Sequence, residues 1–171
     1  MIRNRHNNPT AIITSDMEIR DYAPVCRTDD FFAAMERKLR FVCDLQQRYD
    51  GIPVLDGGDL FDKRYRSHPN YFILPFAEKN LPNPFITIPG NHDLPQHEIA
   101  NYPRSAMAVL EAFGRITVAR PDEPTVVGKN LLVWGFPYRL PQEPPQLKSA
   151  EGWYNVALVH AMVFQGDPPY P

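Results

Sequence analysis

Cysteine is scarce in this 171-residue chain: Cys26 and Cys43 are the whole supply. Two are too few for a disulfide framework, and neither belongs to a zinc-type spacing. With Cys43 inside an expected helix, the reading is buried free thiols in a reducing cytoplasm. Long apolar runs are also missing, since none approaches the ~20 residues that span a bilayer. The basic start Met1-Ile2-Arg3-Asn4-Arg5-His6 lacks the apolar stretch of a secretory signal, so no membrane partner is expected. Charge of one sign is absent too, with 18 Lys and Arg against 20 Asp and Glu and a net −2. General attraction to nucleic acid or acidic lipid is thereby excluded, and any such partner must be met by a local patch. There is no internal repeat, coiled-coil seam or low-complexity tract.

What remains is ordinary globular material, 43% hydrophobic and 22% charged, long enough for one layered domain over residues 1–171. Nineteen prolines, concentrated from Pro75 onward, imply shaped loops between short elements. Ala11-Ile12-Ile13-Thr14 reads as a buried strand with Ser15-Asp16-Met17-Glu18 at its exit. Thr28-Asp29-Asp30 starts a helix whose apolar face is Met35, Leu39, Val42, Leu45 and Tyr49, and Asp50-Gly51 stops it. Ile52 to Leu55 is a second strand, followed by Asp56-Gly57-Gly58-Asp59-Leu60-Phe61-Asp62. Ser67 caps a helix reaching about Lys79, with Pro75 forcing a kink or an early stop. Phe85 to Ile88 is the third strand, and Pro103 and Gly114 bracket a short helix packing Met107, Leu110 and Phe113. Ile116 to Val118, Thr125 to Val127 and Leu131 to Trp134 read as strands in an antiparallel or mixed region. Val156 to Val159 is the last strand. Strand and helix alternate before the strand-rich part, which points to an α/β layered fold with the first three strands parallel.

Four strands are each followed by residues able to hold a metal: Asp16 and Glu18, then Asp59, then Asn91 with His92, then His160. Each has an ordinary explanation alone, as a turn aspartate, a cap or a core histidine. Together they demand four coincidences of residue type and strand-end position. If the strands lie parallel in one sheet, the groups converge at one rim, where α/β folds place their chemistry. Carboxylate, amide and imidazole suit Mn²⁺, Fe²⁺ or Zn²⁺. Asp59 stands between two ligand sets and can bridge two ions, a pair of which activates a hydroxide for in-line phosphoryl displacement. Gly57, Gly58 and Gly90 let the backbone approach the ions. Pro89-Gly90-Asn91-His92-Asp93 is the centre of this pattern.

Ser-Asp-Met-Glu, Gly-Gly-Asp-Leu-Phe-Asp, Gly-Asn-His-Asp and Leu-Val-His resemble the first four motifs of the calcineurin-like metallophosphoesterases. The likeness runs from Ile12 to His160. It implies a layered β-sandwich flanked by helices and two divalent ions, Mn²⁺ foremost with Mg²⁺, Fe²⁺ or Zn²⁺ as alternatives. By motif, Asp16 and Glu18 would hold the first ion, Asp59 would bridge, and Asn91 and His160 would hold the second. His92 would act on the phosphate, Asp93 would orient its imidazole, and Asp62 would bond loop amides. The Gly-Gly-Asp-Leu-Phe-Asp and Val-His-Ala-Met-Val-Phe-Gln-Gly wording is most similar to SbcD-type DNA-repair nucleases and their phage-encoded relatives. That resemblance implies DNA as substrate, an SbcC-type ATPase partner and action in the cytoplasm, the host's where the relative is phage-encoded.

Two departures stand out. The family pattern has Asp-x-His where this chain has Asp16 and Glu18, and a downstream Gly-His-x-His is not found before Pro171. The resemblance therefore implies a C-terminally incomplete domain, weak or partial metal binding, little turnover, and an open edge at the Val156 strand that invites a homodimer. Lys63, Arg64 and Arg66, with Tyr65 among them, follow Asp62 directly. They read either as a solvated loop or as a phosphate-backbone contact with a stacking aromatic. The competing functions are a small-molecule or phosphoprotein phosphoesterase and a catalytically silent scaffold, the latter suggested by Glu18.

Overall fold

A computed structural model describes residues 9–62, 72–138, 147 and 151–161. Lys63, Arg64 and Arg66, and the expected cap Ser67, lie outside the described residues. Strand β1 (Ile12–Thr14) is followed by helix α1 (Phe31–Arg48), β2 (Val54–Asp56), α2 (Ile73–Asn80), β3 (Phe85–Thr87), α3 (Ala106–Ala112), β4 (Thr117–Val118), β5 (Thr125–Val127), β6 (Leu131–Phe136) and β7 (Tyr154–Val159). Two short 3₁₀ turns, Pro95–His97 and Ile99–Arg104, join β3 to α3.

β1, β2, β3 and β4 form one parallel sheet in that order. β5, β6 and β7 form a second, with β5 antiparallel and β7 parallel to β6. Alternation along a strand sends successive side chains to opposite faces, and here it builds two cores. Val54 and Phe85 pack toward the helices with Met35, Leu39, Ile73, Met107 and Leu110. Their neighbours Leu55 and Ile86 pack between the sheets with Val133, Leu131 and Leu158. The result is helices on a parallel sheet on a mixed sheet, the layered sandwich expected.

α1 forms as the periodicity predicts. Asp30 caps it, accepting from the Ala33 amide at 3.0 Å, and Asp50 and Gly51 take left-handed backbone at its end. Burying Met35 and Leu39 contributes roughly 1.5–3 kcal/mol each. Its last turn hides a polar residue the apolar pattern did not reveal. Gln46 is 5% exposed, donates to the Ile52 and Pro84 carbonyls, and accepts from the Asn83 amide. One side chain thus ties the helix end to the starts of β2 and β3.

The other two helices start later than the sequence suggests. Pro75 is the third residue of α2, inside the first turn, where amides have no intrahelical partner. It therefore neither kinks nor stops the helix. Pro103 lies in a 3₁₀ turn, and Ser105 is the cap of α3, its hydroxyl accepting from Ala108 N at 3.1 Å. Cys43 is half-buried but Cys26 is exposed, so the expectation of two buried thiols holds for neither in full. β1 and β7 are the outer strands of their sheets among the described residues, and Ile13 and Tyr154 are largely exposed on them. No helix among the described residues is long and apolar enough to cross a membrane.

Candidate metal centre

The parallel sheet brings the exits of β1, β2 and β3 side by side. The first two loops are stitched together by backbone: the Asp16 amide donates to the Gly58 carbonyl, Glu18 to Asp59 and Ile19 to Leu60, at 2.8–3.0 Å. Within this stitching Asp16, Glu18 and Asp59 all adopt left-handed backbone, with φ of 53°, 45° and 56°. Such conformations cost about 1–3 kcal/mol each outside glycine and persist where surrounding bonds over-determine them. All three are residues that the motif reading names as ligands.

Below the rim lie two buried carboxyls. Asp56 accepts from the Thr14 and Thr87 hydroxyls at 2.8 and 3.0 Å and from the Gly58 amide at 3.1 Å. Burial pushes it up to about 6 against these bonds. Asp93 accepts from the amides of Leu60, Phe61 and Gly90 at 3.2, 2.8 and 2.9 Å. Burial pushes it up to about 7. This corrects the expectation that Asp93 orients the His92 imidazole. Both its oxygens are occupied by backbone, and it clamps the β2 loop to the β3 loop. Among the described residues Asp62 pairs with Arg20 Nη1 at 2.9 Å and accepts from the Tyr22 hydroxyl; the loop that follows it, whose amides it is expected to bond, lies outside them.

Above them, three candidate ligands meet. His160 Nε2 is 3.0 Å from Asn91 Oδ1 and 3.5 Å from Asp59 Oδ2, while its Nδ1 contacts the Gly57 carbonyl at 2.8 Å. The bond to Asp59 raises His160 to about 9 despite partial burial. Burial would raise Asp59 as well, but its bonds to His160 and to the His92 amide outweigh that and hold it below the usual carboxylate range. His160 comes from the second sheet, at the end of β7. Asp59, Asn91 and His160 meet across two sheets, not at the rim of the single sheet assumed for them.

Two glycines permit this packing, by admitting both side chains and neighbouring backbone. A Cβ on Gly90 would stand 2.1 Å from Asp59 Oδ1, and one on Gly58 would stand 2.9 Å from His160 Nδ1.

Glu18 and His92 lie on the other side of Asp59. His92 Nδ1 is 3.2 Å from Glu18 Oε1 and 4.0 Å from Asp59 Oδ2. The shorter contact is close enough for an ion pair but out of line for a hydrogen bond, which leaves this buried nitrogen without a hydrogen-bond partner among the described residues. Glu18 Oε2 pairs with Arg20. Asp16 is exposed and accepts from the Ser15 hydroxyl. It also borders a cavity of about 580 Å³ against α1, lined by Met17, Met35, Leu39, Phe41, Arg37 and Lys38. Arg20, Tyr22 and the anchoring role of Asp56 escaped the sequence reading. Asp56 sat in plain view before Gly57, but a carboxylate that ends a buried strand has no distinctive sequence signal.

Donors sharing one first-row ion at ~2.0–2.2 Å stand roughly 3.0–3.5 Å from each other. The separations of His160 from Asn91 and from Asp59 match that edge length. Two oxygens and an imidazole nitrogen also suit a borderline divalent ion, so these three residues fit one. Among the described residues no three His, Cys, Asp or Glu side chains converge by themselves. The cluster relies on the Asn91 amide for its third donor.

A family model described as calcineurin-like phosphoesterase matches residues 10–168. No curated protein matches the chain.

Proposed function

The chain belongs to the calcineurin-like phosphoesterase family, and from that premise we propose that it is a metal-dependent phosphodiesterase acting on DNA, a nuclease of the SbcD type. The observation that carries the phosphoesterase reading is the meeting of Asp59, Asn91 and His160, delivered from three strand ends with ion-edge separations. Asp59, Asn91 and His160 would hold a divalent ion, with Asp16 and Glu18 as the further ligands the motif implies and Mn²⁺ as the metal. Such ions supply charge to polarise a phosphoryl oxygen and to acidify water.

The residues of the chain supply the rest. Asp93 and Asp56 fix the two loops from below, so that the donors are set before substrate arrives. His92 presents Nδ1 to Glu18 and Asp59. Its Nε2 is therefore the nitrogen left for the phosphate, as a stabiliser of developing charge or a proton donor to the leaving oxygen. The DNA reading is supported by the motif likeness and by the basic run of Lys63, Arg64 and Arg66. An SbcC-type ATPase partner, a homodimer and a cytoplasmic setting accompany it.

Hydrolysis of bis-p-nitrophenyl phosphate tests the phosphoesterase reading. Slow, Mn²⁺-dependent turnover that His92→Ala abolishes is the expected result, and turnover indifferent to chelation overturns it. Binding to a DNA duplex end, measured across salt concentrations, tests the substrate. Affinity should fall with salt, and alanine at 63, 64 and 66 should weaken it and flatten the dependence. Metal-dependent hydrolysis of phosphomonoesters without DNA binding would move the chain to the small-molecule or phosphoprotein class.

A further inference from the structure

Arg20 is left unused by the activity proposed above. Its side chain is 17% exposed and all three guanidinium nitrogens are engaged. Nη2 pairs with Glu18 Oε2, Nε donates to the Glu18 carbonyl at 3.3 Å, and Nη1 meets Asp62 Oδ2 at 2.9 Å. The Tyr22 ring lies 5.5 Å from the cation. A planar, always-charged fork held from three sides is a fixed positive charge. The second oxygen of Glu18, Oε1, faces His92 Nδ1 at 3.2 Å. Glu18 therefore has one oxygen bonded to a guanidinium and the other at ion-pair distance from an imidazole, without a hydrogen bond between them.

We propose that Glu18 is a positioning residue for His92, locked in place by Arg20, rather than a metal ligand. The site then takes one tightly bound divalent ion, at Asp59, Asn91 and His160, and the Arg20 guanidinium supplies the positive charge on the Glu18 side. This rests on the metal-dependent reading above and departs from it at Glu18, which it takes out of the ligand set.

Charge decides between the alternatives. Drawing Glu18 onto a second ion would set a dication beside a mostly buried guanidinium, and using both its oxygens would also strand Nη2. Both changes are unfavourable where solvent screening is weak. Asp16, the other candidate for that ion, is exposed and turned to its neighbour Ser15. The arrangement also accounts for glutamate at position 18. A neutral imidazole there would form no ion pair with Arg20, whereas a carboxylate pairs with it and reaches His92 as well. The carboxylate beside the His92 imidazole is thus that of Glu18, from a different strand exit, and not that of Asp93.

The test is Mn²⁺ titration of the whole chain by calorimetry, with electron paramagnetic resonance to detect coupling between ions. The wild type should bind one Mn²⁺. Glu18→Gln should keep that stoichiometry with an affinity within about twofold, while shifting the ¹⁵N resonances of the His92 ring at fixed pH. Arg20→Met should shift the same resonances without loss of the ion. Two magnetically coupled ions in the wild type, or an affinity at least tenfold weaker in Glu18→Gln, would overturn the inference while leaving the phosphoesterase reading intact. No Mn²⁺ bound at all would overturn both. Circular dichroism of the two variants, matching the wild type, guards against reading misfolding as loss of a ligand.

Discussion

Asp59 divides the rim into two unlike halves. On the His160 side, an imidazole, an amide and a carboxylate oxygen crowd one point, and among the described residues His160 is the cation paired with that carboxylate. On the Glu18 side, a guanidinium already satisfies two carboxylates, Glu18 and Asp62. Both halves are built from short loops at strand exits, and both carry the acidic residues of one motif set. The difference teaches that a motif names donors, whereas the charge already beside each donor decides whether it is free to take a metal.

The comparison is broken most directly at His160. Replacing it with alanine removes one of the three donors that converge among the described residues, and Mn²⁺ affinity should fall by about 100-fold or more, on the scale of ligand-shell losses. An unchanged calorimetric titration would show that the two halves are not unlike at all. A large effect on stability instead is expected beneath them. Asp93→Ala strands three buried amides, those of Leu60, Phe61 and Gly90. At about 1 kcal/mol or more for each unsatisfied donor, the loss should reach ~3 kcal/mol in urea unfolding. Asp62→Ala, whose carboxylate meets Arg20 and Tyr22 among the described residues, should cost clearly less.

The pH dependence of binding sharpens the comparison further. The bond to Asp59 raises His160 to about 9, so below that pH an ion must displace a proton to bind there. Mn²⁺ affinity should rise about tenfold per pH unit from pH 6.5 toward 9 and then level off. A flat profile between pH 6.5 and 8.5 would mean that His160 is not displaced and is no ligand.

The smallest effect concerns the carboxyl below both halves. Asp56 is raised in the folded protein to about 6 from an ordinary 3.8. Its contribution to stability is therefore fully present below pH 3.8 and is lost as pH rises through 6. Asp56→Asn keeps an acceptor for Gly58 and Thr87 but cannot ionise. The fall in stability across this window should be shallower in the variant, as followed by thermal unfolding.

Much of this was legible in the residues. The α1 stripe through Met35 and Leu39 and its Asp30 start follow from helical spacing and capping. The parallel order of β1, β2 and β3 follows from short connections and right-handed crossovers. Gly-Asn-His-Asp at the exit of β3, with Asp59 and His160 at other exits, was enough to mark Asn91, Asp59 and His160 as candidates for one site. Less legible were polar residues whose partners are far along the chain. Gln46 reads as a helix-surface residue until Ile52, Asn83 and Pro84 arrive around it. Asp93 reads as the natural partner of the histidine beside it until amides from residues 60 and 61 claim its oxygens.

By itself, then, the sequence determined the periodicities, the strand exits and the donor types, because these depend on local geometry and on which atoms a side chain carries. Only the tertiary structure decided how those donors are paired. It set His160 across from Asn91 from a second sheet, gave Asp93 to the backbone, and placed Arg20 against Glu18. Pairing depends on distances of a few ångströms between segments tens of residues apart, and on the burial that makes an unpaired charge or amide costly there. No local pattern carries that information.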